Sequence, residues 1–290
     1  MIQDIYRSEP WKMIVCTILL NQTSGVQVKK MMRRFFKKFN SLQSIRDASE
    51  DQIVSEIREL GMQNVKAKRI KMFCSSFSDS VDLMRDNIVG FLGVGDYTQE
   101  SIDVFIKRDN NIDAKDKEIR AYLDRSYDFK ALYDQTNKFI DENGSLQPIK
   151  RYAPKEVLNY LYEYDSTLFC DVIDDRLKYV IDKLDTYKKS LEDVNNRLFF
   201  HRSNRQAVIQ FDQSGILPNC TVSIQFQIRD DILYLSVFQR SQDIEKMEMD
   251  CEIFNRMALE VIKKQDDVDD YRVKVFVSNM HKFIHNRSLV

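Results

Sequence analysis

IVGFLGVGDYTQESIDVFIKRDNNIDAKDKEIRAYL, residues 88–123, is the stretch on which the reading of the chain turns. Gly93-Val94-Gly95 sits between two apolar-periodic segments. Glycines at such a turn let the backbone tighten and let its N–H groups come close to an anion. A carboxylate, Asp116, follows and opens another helical pattern, with Ile119 and Leu123 behind it. That spacing predicts Asp116 at a helix N-terminus. Asp113 is its rival, but three residues after Asp113 comes Asp116 itself, in a slot that a helix would bury; the apolar spacing favours Asp116. A helix N-cap with no further role is the plain alternative.

Working outward, residues 10–24 read as a helix with Trp11, Ile14, Val15, Ile18 and Leu19 on one apolar face and Pro10 in its first turn. Asn21-Gln22-Thr23-Ser24 ends it, and a simple cap and turn would explain those small polar side chains. Residues 26–40 read as a second helix. Lys29, Lys30, Arg33, Arg34, Lys37 and Lys38 alternate there with Met31, Met32, Phe35, Phe36 and Phe39. A basic helix face is usually just solvated. Residues 50–78 read as two further helices joined through Leu60-Gly61-Met62, and they add a second basic group, Lys66, Lys68, Arg69 and Lys71.

Four pieces, PWKMIVCTILLNQTSG (10–25), LGMQNVKAKRIKMF (60–73), LGVGDYTQESIDVF (92–105) and DKEIRAYL (116–123), stand in the order of the helix–hairpin–helix DNA glycosylase superfamily. Residues 1–128 resemble its mismatch-specific thymine/uracil branch. The resemblance implies an all-α domain that hydrolyses the N-glycosidic bond of a mispaired or modified pyrimidine in double-stranded DNA. It implies that Gln22 and Thr23 lie in the DNA near the gap left by a flipped base, and that Gly93 and Gly95 grip the backbone. Lys66 and Lys68 would then belong to a DNA-facing surface. Lyase-active relatives carry a lysine after the hairpin; here Tyr97 stands at that position and cannot form a Schiff base, which implies a monofunctional enzyme. Asp116 would stabilise the charge that grows on the deoxyribose and orient a water.

With 290 residues, one large or two ordinary domains are expected. Charged residues make up 31% and the net charge is −1, so any nucleic-acid surface must be local. Cys16, Cys74, Cys170, Cys220 and Cys251 are widely spaced without a CxxC pair. That spacing argues against a zinc or iron–sulfur site and suits a reducing cytoplasm. No apolar run is long enough to cross a membrane and no signal peptide opens the sequence. No metal and no cofactor are expected. The best candidate boundary is Asn143-Gly144-Ser145-Leu146-Gln147-Pro148, which makes residues 129–149 a linker or helical connection.

Residues 127–200 read as helical and polar. The pattern then changes to period two. Gln206–Phe211, Val222–Ile228, Ile232–Phe238 and Arg272–Ser278 alternate like strands, with Val222, Ile224, Phe226 and Ile228 on one face. An α+β second half follows. SNRQAVIQF (203–211), LPNCTVSIQFQI (217–228), LYLSVFQRSQD (233–243) and SNMHKFIHN (278–286) resemble the thymidylate synthase and pyrimidine hydroxymethylase fold, so residues 150–290 are expected to form such a domain in a degenerate version. The resemblance places Cys220 on the nucleophile, and Arg205, Arg240 and Ser241 on phosphate-binding positions. Asp243 and His281 fall on nucleotide contacts, and Asp250 on the base-reading position. Arg205 implies a homodimer through this domain. Thr221 replaces a histidine, Phe283 replaces a tyrosine that contacts ribose, and the early phosphate loop is not visible. Glu156 is a weak stand-in for a catalytic glutamate, and a buried inert thiol is the plain alternative for Cys220.

Three readings follow. The first is a glycosylase with a nucleotide-binding or dimerising second half, in a bacterial or phage-encoded cytoplasmic protein. The second is a deoxypyrimidine-monophosphate methyl- or hydroxymethyltransferase using Cys220, with folate as its cofactor. The third is a non-catalytic binder of DNA and nucleotide.

Overall fold

The computed structural model describes residues 1–77, 94–146, 153–170, 172, 174–202, 206–211, 220–265 and 267–284. It divides into two compact units, Met1–Arg125 and Ser126–Val290.

The first unit is helical: α1 (Ile2–Ile5), α2 (Pro10–Leu20), α3 (Gly25–Lys38), α4 (Leu42–Asp47), α5 (Glu50–Ile57), α6 (Gln63–Ser76), α7 (Asp96–Phe105) and α8 (Lys117–Arg125). The sequence predicts one apolar face for α2, but Met13 through Leu19 are all buried. The reason is tertiary: α1, α3, α6 and α7 all pack against α2, which leaves it no solvent side. On α3 the predicted face holds, with Val28, Met31, Met32, Phe35 and Phe36 buried. Phe36 takes edge contacts from Tyr6 and Trp11 at 4.9 and 5.6 Å between ring centroids. Local signals set the short helices. Ser41 with Ser44 and Ser49 with Gln52 form capping boxes that start α4 and α5. The Lys71 ammonium donates to the Arg46 carbonyl at 2.7 Å and so closes the end of α4.

The second unit is α+β, as expected. Its elements in order are β1 (Tyr127–Asp128), α9 (Phe129–Asn143), β2 (Ser145–Leu146), β3 (Ala153–Asp165), β4 (Leu168–Phe169), α10 (Asp174–Phe200), β5 (Val208–Gln210), β6 (Thr221–Arg229), β7 (Ile232–Gln239), β8 (Gln242–Asp243), α11 (Met247–Ile262) and β9 (Asp270–Ile284). The main sheet runs β2-β3-β9-β7-β6-β5, with β8 also paired to β9. β9 is antiparallel to β3 and parallel to β7, so the sheet is mixed. Its covered face carries Tyr160, Tyr162 and Tyr164, then Val273, Val275 and Val277, then Leu233, Leu235 and Val237, then Ile224, Phe226 and Ile228, all buried. α9 packs on β3 and β9, while α11 packs on β7, β9 and α10.

Two strand expectations need correction. Residues 127–200 are not helical throughout, because β3 occupies 153–165. In LNYLYEY apolar and aromatic residues fall on both strand faces, which blurs the period-two signal; only the sheet reveals that the tyrosines share the covered face. Val222 does not join Ile224, Phe226 and Ile228, because the pairing of β6 with β7 shifts register between Thr221 and Ser223. That bulge leaves Val222 38% exposed.

Candidate functional site

Asp116 is the residue immediately before α8, where the spacing of Ile119 places it, and Ile119 is fully buried beneath. Its Oδ1 accepts hydrogen bonds from the N–H groups of Glu118 and Ile119 at 2.9 and 3.0 Å. This is an N-cap, and the positive end of the helix favours the ionised carboxylate. Oδ2 has no hydrogen-bond partner among the described residues. The backbone leading into the cap is held from α7: the Glu100 carboxylate accepts from the N–H groups of Lys115 and Asp116 at 3.0 and 3.1 Å. Phe105 against Tyr122, 5.0 Å between centroids, joins the same two helices. Asp113 is exposed and takes no part in the cap.

Tyr97 lies in the first turn of α7. Burial raises its phenol well above the ordinary tyrosine range, and the Asp116 carboxylate adds to the effect. The ring therefore stays neutral. Its hydroxyl accepts from Gln3 Nε2 at 2.6 Å, which leaves its own proton free to be donated. Gln3 is fully buried, and its Oε1 has no hydrogen-bond partner among the described residues. The hydroxyls of Thr17 and Thr98, 2.8 Å apart, pin α7 to α2 nearby. The sequence reading missed both Gln3 and Glu100. The one available signal was a lone amide between Ile2 and Ile5; a glutamate on a helix face carries none.

The residues assigned to DNA separate into groups. Gln22 is exposed, in a left-handed conformation at φ 54°. Thr23 donates to the Leu60 carbonyl at 3.0 Å. Gly95 is the N-cap of α7 at φ −131°, an ordinary extended conformation, with open space where a side chain would project. Gly93 lies outside the described residues. Lys68 is exposed. Lys66 corrects the expectation: it is 2% exposed, and its ammonium donates inward to Thr23 Oγ1 and to the Leu60 carbonyl rather than outward to a phosphate. Apolar packing along α6 turns that face inward, and its burial lowers the lysine pKa. The basic face of α3 is partly neutralised, because Arg34 and Lys38 both pair with Glu56, at 3.5 and 2.7 Å.

The second unit gathers another polar group. Cys220 is exposed, not buried, at the start of β6, and Ser241 Oγ lies 3.6 Å from its Sγ. The Arg240 N–H donates to the Cys220 carbonyl at 2.9 Å. Gln239 and Gln242 are each 1% exposed and both donate to Asp250 Oδ2 at 3.1 Å. Burial raises the Asp250 carboxyl above the usual aspartate range, and the two amides draw it partly back. Asp250 is thus already engaged, with only Oδ1 unpartnered among the described residues. The Asp243 side chain accepts from the Glu245 N–H at 3.2 Å and starts a short helical turn. His281 stands opposite Asp243 in the β8–β9 ladder. Glu156 is engaged by Asn279 Nδ2 at 3.1 Å. Arg205 and the Phe283 side chain lie outside the described residues. Among the described residues no His, Cys, Asp and Glu side chains cluster to hold a metal, and no helix is long and apolar enough to cross a membrane.

Residues 15–144 match the family model of the HhH-GPD superfamily of base excision DNA repair proteins. The match extends past Arg125 through α9. A thymine/uracil-DNA glycosylase of Pyrobaculum aerophilum is 31% identical over 98 residues, 32% of this chain and 43% of its own. A thymine/uracil-DNA glycosylase of Methanothermobacter thermautotrophicus is 26% identical over 144 residues, 46% of this chain and 65% of its own. A methyl-CpG-binding domain protein 4-like protein of Arabidopsis thaliana is 24% identical over 108 residues, 36% of this chain and 23% of its own. The chain spans about half the length of the first relatives, 43%, 65% and 44%.

Proposed function

Starting from an HhH-GPD domain across residues 15–144, we propose that the protein is a monofunctional DNA glycosylase that removes a mispaired thymine or uracil, or a derivative of either, from duplex DNA. The observation that carries the reading is the fixed Asp116 carboxylate at the start of α8. Two backbone N–H groups hold one of its oxygens and the other has no hydrogen-bond partner among the described residues, while the Tyr97 phenol, at the position where the resemblance implies a lyase lysine, is buried enough to stay neutral and feels the Asp116 charge.

The target nucleotide must first leave the base stack, and a mispaired base costs least to extract. As the C1′–N1 bond breaks, its electron pair goes to the departing base and positive charge grows on the sugar. The Asp116 carboxylate stabilises that charge and aligns a water, which forms the new C1′–O bond and releases its proton to the carboxylate or to solvent. The Tyr97 hydroxyl, held by Gln3, donates to an oxygen of the departing base. The products are a free base and an abasic site, with the strand intact.

Incubation with duplexes bearing T·G, U·G or 5-hydroxymethyluracil·G, followed by alkali, reads base release as strand cleavage. The proposal requires release that disappears in Asp116→Asn, with no protein–DNA adduct trapped by borohydride. Alkali-independent cleavage, or release that survives Asp116→Asn, refutes it.

A second reading concerns the other unit alone. The exposed Cys220 thiol beside Ser241, with Gln239 linking the adjoining Thr221 to Asp250, supports binding of a pyrimidine nucleotide there. Calorimetric titration with deoxycytidylate and deoxyuridylate, repeated on Cys220→Ser and Asp250→Asn, tests it; absence of heat with both nucleotides removes it.

A further inference from the structure

A buried cation in the first unit has no part in the chemistry above. Lys66 is 2% exposed on α6, and its ammonium reaches two separate corners of the chain. One is Asn21–Ser24, between α2 and α3, where it meets Thr23 Oγ1. The other is Leu60–Met62, before α6, where it meets the Leu60 carbonyl at 3.3 Å. Thr23 Oγ1 itself donates to the same carbonyl at 3.0 Å, which closes a three-membered polar knot. Each corner opens a helix of fourteen residues, α3 or α6. Each also carries an exposed residue in a left-handed conformation, Gln22 at φ 54° and Met62 at φ 49°. Non-glycine residues held there are strained and persist only when their surroundings over-determine them. A lysine buried, as here, with no carboxylate partner among the described residues is likewise costly.

We infer that Lys66 is a positioning residue: it locks the Gln22 and Met62 corners into one rigid element that enters the duplex and holds the target nucleotide out of the stack. The inference rests on the glycosylase reading. Left apart, two short corners would each yield when pressed against stacked bases. Joined through one ammonium, they share the load, and what is spent on extracting the base is not lost in bending the loops. Lys66 touches neither the sugar nor the base in this account; it acts through Thr23 and Leu60.

The test is single-turnover base release from two substrates. One carries thymine in a T·G pair; the other carries thymine in a one-nucleotide bulge, where it is already unpaired. Lys66→Met should slow release from the T·G duplex by about tenfold or more, the equivalent of one charged hydrogen bond, and slow the bulge by less than about twofold. Lys66→Arg, which keeps donors to both corners, should restore most of the T·G rate. Thr23→Val, which removes the knot from the other side, should show the same split. Equal losses on both substrates would make Lys66 a general structural residue and overturn the inference, as would an unchanged T·G rate in Lys66→Met. Wild-type protein inactive on both substrates would remove the glycosylase reading, and this inference with it.

Discussion

Glu100→Ala should separate the cap from its anchor. The Glu100 carboxylate accepts two backbone N–H groups, of Lys115 and Asp116, at 3.0 and 3.1 Å. Hydrogen bonds to a charged acceptor are worth about 1.5–3 kcal/mol net when well shielded. Glu100 is only half-buried, and water takes over part of that role in the variant. A combined loss of about 1–2 kcal/mol is therefore the reasonable expectation. The Asp116 side chain keeps its bonds to Glu118 and Ile119, so α8 survives; what loosens is the placement of the carboxylate relative to Tyr97 and the sugar. At about 1.4 kcal/mol per tenfold, base release should slow by roughly 5- to 30-fold. The assay is single-turnover release from a T·G duplex at saturating protein, with duplex affinity measured in parallel by anisotropy. The rate should fall while affinity stays level, and Glu100→Gln, which retains one accepting oxygen, should lie between. A variant with a lowered melting temperature but an unchanged release rate would refute the reasoning: Glu100 would then staple two helices and nothing more.

In the second unit, a Cβ on Gly144 would sit 2.5 Å from the Ile140 carbonyl oxygen and 3.2 Å from that of Glu156. Gly144→Ala should therefore cost roughly 1–3 kcal/mol, read as a lower denaturation midpoint. Native protein treated with a thiol reagent should label quickly at Cys220 alone, because Cys16, Cys74, Cys170 and Cys251 are buried and burial pushes the Cys74 thiol up to about 12; peptide mapping checks this, and rapid labelling of a second cysteine would contradict it. Asp250 has a raised carboxyl in the fold, so its stabilising contribution is complete below the unfolded value of about 3.9 and is lost as pH rises through the folded value. Relative to wild type, Asp250→Asn should gain stability as pH climbs from about 4 toward 7, measured by denaturant unfolding at several pH values. A difference that does not change with pH would mean that the carboxylate is not penalised by burial.

The parts that were legible in the sequence are those specified by neighbours along the chain. Asp116 at the start of α8 follows from Ile119 three residues on, and the turn after α2 follows from a run of short polar side chains. The strands β6, β7 and β9 follow from alternation that one covered face imposes. Where both faces of an element carry apolar residues, local pattern fails: α2 is buried all round because four helices surround it, and the Leu and Tyr residues of β3 blurred a long strand into a helical stretch.

The sequence by itself determined the two-part organisation and the helical cap on Asp116. Tertiary structure alone decided which polar groups face one another. Gln3 meets Tyr97 and Glu100 meets the Asp116 backbone across separations no local spacing records. Lys66 points inward although its neighbour Lys68 points out, because on a helix two residues apart lie on different faces and only packing decides which face the core receives.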